Sequence, residues 1–434
     1  MEASPPCRRP RPPSPASSLG PLPPEILQTI ISHLPIRDAV RTSAVSRAWR
    51  RLWETTPDLA LEWGCGTDLA VADAVLARYS GPVRSFNFFL RQEARPFELF
   101  PSHEEAFERA DDWITILAGK GVRSLTLRFS EDSDDLPHTL QTTLFSCREL
   151  TRLRLCNCDF PLAPEESVRF PNLTWCSLDS VGFKYAGEKD VVALISGSPL
   201  LEVLWLKDPY FPYDENNFQK GCVIEAPNLR HLKIVSEDDF GWKMGELPSI
   251  ETVEINIKDY DINRDFVQLM TALAGVKKLT LKMPSRWDNV LGGLSCSFRN
   301  LKSLSLHTDF CWFFNVLAMI CLLKNAPNLE ELSFKIQCEN LQLTPKLSVA
   351  FLNGQWTEGL LANLKSVNMY LATCQSNEMH FIKFLLSKAG RLQEFDICLH
   401  EHCPKSNGEL LMEILKYKRA SPKAEIFLDR LVFA

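Results

Sequence analysis

The segment "LTRLRL", Leu150–Leu155, has apolar residues at its first, fourth and sixth places. The last two, one residue apart, mark a strand with one buried face, because side chains alternate across a pleated backbone. The same pattern recurs as "VRSLTL" from Val122, "LTWCSL" from Leu173, "LEVLWL" from Leu201, "LRHLKI" from Leu229, "IETVEI" from Ile250, "VKKLTL" from Val276, "LKSLSL" from Leu301, "LEELSF" from Leu329, "LKSVNM" from Leu364 and "LQEFDI" from Leu392. "VRSFNF" from Val83 reads as an earlier member. The chain is 45% hydrophobic, so three fixed positions are all apolar by chance about once in eleven windows. Pattern alone therefore decides little.

Spacing decides more. From Val122 the anchors lie 28, 23, 28, 28, 21, 26, 25, 28, 35 and 28 residues apart. Most of these fall within the period of about 20–29 residues of leucine-rich repeats. "FPNL", "APNL" and "APNL" introduce the strands at Leu173, Leu229 and Leu329, and "SPLL", "LPSI", "FRNL" and "LANL" introduce four others. Several gaps carry helical patterns: Ser102 with Glu105 as a capping box ahead of Phe107, Ala110, Ile114 and Leu117, then "KDVVALIS", "RDFVQLMTAL", "FFNVLAMICLL" and "MHFIKFLLSK". The gap from Leu201 to Leu229 has no such helix and offers the strand-like "GCVIEAPNL". The expected body is an α/β leucine-rich-repeat solenoid, right-handed, over residues 80–400 with about 11–12 irregular repeats and a parallel concave β-sheet.

Ahead of it stands "LPPEILQTIISHLPIRDAVRTSAVSRAWRRLW", Leu22–Trp53, in which 15 of 32 residues are apolar. A first helix is expected at Pro24, since proline suits the first helical position, with Leu27, Ile30, Ile31 and Leu34 on one stripe. Pro35 stops it. A second helix runs through Ala39, Val40 and Ala44, and Ser46 caps a third carrying Trp49, Leu52 and Trp53. Three short helices bury too little on their own, so this surface packs on the rest of the chain or on another protein.

The stretch resembles an F-box of the plant type, through the "LPPEIL" opening, the Leu34-Pro35 pair, the "RDAVRTSAVSRAWRRLW" run and Pro57. The whole chain is similar to plant F-box proteins with divergent leucine-rich repeats, and "LLMEILKYKRASPKAEIFLDRL" is similar to the end of the FBD group. The resemblance implies a three-helix F-box at 19–60 and an FBD-like C-terminal cap at 401–434, after a disordered Pro-rich tail at 1–18. It also implies docking on a Skp-family adaptor, and through it on cullin and RING subunits, by Leu22, Pro23, Ile26, Leu27, Leu34, Val45 and Trp49.

The formal net charge of −6 argues against a general nucleic-acid binder. Arg8, Arg9 and Arg11 precede no apolar run, so no secretory signal is read, and the "CWFFNVLAMICLL" run is too short to cross a bilayer. Fourteen cysteines in a chain of this size read as reduced thiols, which places the protein in the cytosol or nucleus. No phosphate-binding loop, nucleophile elbow or paired zinc-ligand spacing is present, the "LHEHC" group at His400, His402 and Cys403 included. No cofactor, metal or catalytic residue is expected.

Residues just after each repeated segment should point off the concave sheet: Arg128, Cys156, Asp179, Lys207, Val235, Asn256, Lys282, His307, Lys335, Tyr370 and Cys398, with Arg154, Trp205 and Lys233 two places earlier. Arg128, Arg154, Trp205, Lys207, Lys233, Lys282, His307 and Lys335 are the candidate substrate-facing set. Cationic side chains there favour an acidic or phosphorylated target, unless lysine only keeps a solvated strand soluble. The reading is a non-catalytic substrate receptor of an SCF-type cullin-RING ubiquitin ligase. A hormone or inositol-phosphate receptor of the same architecture, and a repeat scaffold outside any ligase, are the alternatives.

Overall fold

The computed structural model describes residues 23–47, 49–56, 59–63, 69–89, 103–129, 139–162, 170–184, 187–211, 221–284, 291–337, 348–355, 359–401 and 403–430. The Pro-rich tail, Leu22, Ser102 and the acidic run at 131–135 lie outside them.

The strands are β1 (Leu59–Trp63), β2 (Val83–Phe89), β3 (Ser124–Arg128), β4 (Arg152–Asp159), β5 (Trp175–Gly182), β6 (Val203–Lys207), β7 (Val223–Ile224), β8 (His231–Asp238), β9 (Lys243–Met244), β10 (Thr252–Asp259), β11 (Lys278–Lys282), β12 (Ser303–Thr308), β13 (Glu331–Ile336), β14 (Ser366–Ala372), β15 (Glu394–Leu399) and β16 (Glu425–Arg430). Fourteen of them form one sheet in chain order, every neighbouring pair parallel. β7 and β9 pair separately, filling the gap where the sequence holds no helical pattern. β1, with its Leu59-Leu61-Trp63 alternation, is a strand beyond those expected from the repeated segments.

Period-two alternation puts the repeated apolar residues on one face in register, Leu125 beside Leu153, Cys176, Leu204 and Leu232, all buried. The buried residues of α3 (Leu69–Arg78), α4 (His103–Gly119), α5 (Glu188–Ser196), α6 (Phe266–Ala272), α7 (Phe313–Lys324), α8 (Val349–Gly354) and α9 (Ser376–Lys388) join them in one continuous core. The other sheet face is left open.

Two devices stitch repeat to repeat. Where an asparagine precedes the strand anchor it reaches the preceding repeat: Asn172 Nδ2 donates to the Arg148 carbonyl at 3.0 Å, Asn228 to Pro199 at 2.9 Å, Asn300 to Gly275 at 3.3 Å, Asn328 to Arg299 at 2.9 Å and Asn363 to Pro327 at 3.1 Å. Beyond the strand ends, Phe160, Phe183, Phe211 and Phe240 stack in series with ring centroids 5.6, 5.4 and 4.6 Å apart. Aromatic pairs at such distances add to simple burial.

At the N-terminal end α1 (Pro24–Ser32) and α2 (Ile36–Arg41) pack toward β1. The third helix expected from Ser46 is corrected. Thr42–Ala44 and Leu52–Glu54 are 3₁₀ turns, and the described residues between them are held by i→i+3 bonds such as Trp49 N to the Ser46 carbonyl at 3.2 Å. Trp49, Leu52 and Trp53 still pack on the core, from short 3₁₀ turns of the kind common as connectors. At the other end α10 (Asn407–Ile414) starts on a capping box of Ser406 and Glu409, and the Arg430 guanidinium on β16 donates to the carbonyls of His400, Glu401, Cys403 and Lys405.

Candidate functional site

Two rows of side chains cross the open face in register. One runs Arg128, Cys156, Asp179, Lys207, Val235 and Asn256, and continues through Lys282, His307, Lys335, Tyr370, Cys398 and Asp429. The other includes Arg154, Ser177, Trp205, Lys233 and Glu254. Period-two alternation thus places the candidate substrate-facing residues on a single surface.

Their surroundings differ along that surface. In the middle the lysines are neutralised: Lys207 Nζ lies 2.9 Å from Asp179, and Lys233 Nζ lies 3.0 Å from Glu254. Lys282 is a correction. Its position is on the open-face row but it is only 6% exposed, and it already holds an interaction within the fold, so it offers a ligand little. His307 has its pKa lowered by burial first and then by Lys335, Lys282 and Lys233, with Glu254 opposing, so the neutral imidazole is favoured.

The β3–β5 end is different. Arg128 lies over the Phe89 ring at 4.9 Å and Arg152 over Trp175 at 5.1 Å, and Trp175 meets Trp205 edge-on at 5.4 Å. Among the described residues none of Arg128, Arg152 and Arg154 is in an ion pair. The Cys156 thiol sits among them: burial raises its pKa, while Arg154 and Arg128 pull it down. Arg152 and Trp175 are missed in the sequence because only the last two outward positions of each strand are considered there.

The F-box segment sorts its anticipated docking residues. Pro23 is exposed, Ile26 is 47% and Val45 70% exposed, whereas Leu34 and Trp49 are half-buried against the core. Leu27 is a correction: it is 7% exposed, so in this chain its side chain is committed to the fold. Leu22 lies outside the described residues.

A cavity of about 320 Å³ opens between β9 and α6, lined among others by Asp239, Lys243, Asp261, Arg264 and Asp265. Its charges are mixed, and Arg264 is held 3.4 Å from Asp239, so it is not the converging basic pocket that an inositol-phosphate receptor needs. Among the described residues no group of three potential metal ligands converges, and no helix is long and apolar enough to cross a membrane. His402 is outside them.

The F-box domain model matches residues 20–59, and the model described as "FBD-associated F-box protein At5g56370, LRR repeats" matches residues 110–241. The chain is similar to plant F-box/leucine-rich-repeat proteins along most of its length. The F-box/FBD/LRR-repeat protein At1g13570 of Arabidopsis thaliana is 29% identical to it, over 93% of this chain and 96% of that protein. The F-box/LRR-repeat protein At3g03360 of the same plant is 28% identical over 72% and 69%, and the FBD-associated F-box protein At5g60610 is 25% identical over 87% and 98%. A solved LRR protein of Leptospira interrogans aligns over 87% of this chain and 91% of its own at 14% identity, with a TM-score of 0.39. Neither family model that matches this F-box/repeat chain describes an enzyme.

Proposed function

We propose that the chain is a substrate-receptor subunit of an SCF-type ubiquitin ligase. Its F-box would dock on a Skp-family adaptor, and through it on cullin and RING subunits, while the open face of the repeats holds a protein target. The observation that carries this reading is the apolar surface that Pro23, Ile26, Ile30 and Val45 leave uncovered together on one short helical segment. Apolar area of this kind on a short helical module gains stability by being covered. The chain itself would supply positioning rather than covalent chemistry. The cytosol or nucleus is the compartment in which such a complex would work.

The test is co-expression of the full chain with a Skp-type adaptor, followed by size-exclusion chromatography. A stoichiometric complex supports the reading, and elution of two separate species overturns it. The complex should then transfer ubiquitin to partners captured by the repeats once cullin and RING subunits are added.

A further inference from the structure

Resting on the substrate-receptor reading, we infer that the β3–β6 region of the open face binds an anionic peptide segment of the target, with an acidic or phosphorylated side chain on Arg152 and Arg154 and its neighbour on Trp205. The charges along the face are segregated. At β3 and β4 stand three arginines with no carboxylate partner among the described residues. In the middle the lysines are matched by Asp179 and Glu254. At β13 to β16 Glu331, Glu394, Asp396, Glu425 and Asp429, which form no ion pair among the described residues either, outnumber Lys335 on the same face. Unmatched charge on a half-buried surface is costly to leave unsatisfied and favours a ligand of opposite sign.

The β3–β6 end also has the shape of a recognition site. Arg152 and Arg154 project from one strand two places apart, so both guanidinium groups serve the same face. The planar fork of arginine matches carboxylate and phosphoryl oxygens in a way a lysine ammonium does not. Next to them Trp205, 39% exposed and braced edge-on by Trp175, gives a rigid apolar ledge for the adjoining residue of a peptide. The Nε atoms of Arg128 and Arg154 are buried without hydrogen-bond partners among the described residues.

The probe is a set of short peptide libraries with degenerate flanks and a fixed central Ser, Glu or phosphoserine, titrated against the full chain by fluorescence anisotropy. Tighter binding of the Glu or phosphoserine library than of the Ser library is expected, weakening as NaCl rises. Preference between Glu and phosphoserine tells which anion the site takes. Arg152→Ala/Arg154→Ala should weaken that binding about ten- to a hundredfold, the range for losing a charge-assisted hydrogen bond. Asp396→Ala, at the far end of the sheet, should leave it within about twofold. Trp205→Ala, which alters no charge, should weaken all libraries that carry an apolar flank. Thermal melts of each variant separate lost binding from lost folding, and the wild-type Ser-against-Glu comparison stands even if the double variant unfolds. Equal binding of all three libraries overturns the inference, and so does full binding by a folded Arg152→Ala/Arg154→Ala chain. Displacement of the peptide by polyuridylate at equal charge concentration would instead assign the face to nucleic acid. Peptide titration does not involve the adaptor, so it can fail while adaptor docking holds, and the reverse.

Discussion

Removing Ile26 and Val45 should weaken adaptor docking while leaving the fold intact, and removing Leu27 should weaken the fold while leaving docking nearly intact. Fully burying an isoleucine or valine side chain is worth about 1.5–3 kcal/mol. Val45 is 70% exposed and Ile26 47% exposed in the free chain, so that share of their surface remains for an adaptor to cover. Scaled in that way, Val45→Ala gives up about 1–2 kcal/mol and Ile26→Ala about 1 kcal/mol of docking energy. The double variant should then bind an adaptor about 30- to 150-fold more weakly. Neither change opens a cavity, so thermal unfolding should move little. Leu27, at 7% exposure, has almost no surface left to offer. Leu27→Ala should cost about 2–5 kcal/mol of local stability, yet the fraction that stays folded should bind at near wild-type affinity. Isothermal titration of each purified chain with a Skp-type adaptor, beside its melting curve, reads both quantities. Wild-type affinity in a folded Ile26→Ala/Val45→Ala chain would refute the reasoning, because docking would then use some other surface.

Other outcomes follow from single features of the fold. Glu378 is buried at the start of α9, accepting from the Thr373 and Cys374 amides and the Thr373 hydroxyl, and burial raises its pKa to about 7. The folded chain therefore binds this proton more tightly than the unfolded one. The associated stability, up to about 3 kcal/mol, is present below about pH 4.5 and is lost as pH rises through 7, and urea titrations of Glu378→Gln should lack that slope. At Gly221 an added Cβ would lie 1.9 Å from the Gly241 carbonyl oxygen, so Gly221→Ala must push the paired backbones away from each other and should lower the melting temperature by an amount equivalent to about 1–3 kcal/mol. Asn328→Ala removes one inter-repeat bond and should cost about 1 kcal/mol in denaturant unfolding, with peptide and adaptor binding unchanged.

Sequence alone reached the repeat array because its evidence is local: alternation of period two and a return of the anchor every 21 to 35 residues. The in-register rows from Arg128 to Cys398 follow from the same arithmetic. Charge state along those rows did not, because the partner of a residue on one strand sits a whole repeat away and is chosen by register and by side-chain reach. Lys207 and Lys233 looked like free cations until Asp179 and Glu254 came beside them. Lys282 looked outward-facing until the fold left it 6% exposed. The third F-box helix failed for a related reason: Trp49, Leu52 and Trp53 have the right period and do pack against the core, but from 3₁₀ turns, which so short an apolar pattern does not distinguish from an α-helix.

On the proposed reading, the segregation of charge on the open face would also set where along the solenoid a target is held. The F-box helices α1 and α2 contact β1, and β4 is three places from β1 in the sheet. At about 4.8 Å per strand, an anion on Arg152 and Arg154 lies about 14 Å along the sheet from that strand. The acidic far edge at β16 is thirteen places from β1, or about 62 Å along the sheet. A target anchored through its anion would be held close to the adaptor-docking end, with its uncharged or basic flank running toward Glu394, Asp396 and Asp429. Reversing the two ends by substituting acids at Arg152 and Arg154 should therefore change which peptides bind, favouring the basic over the acidic, without touching adaptor docking. One solenoid could keep its docking end constant and alter its target by changing exposed outward residues such as Arg152 and Trp205, which lie outside the buried core that holds the repeats together.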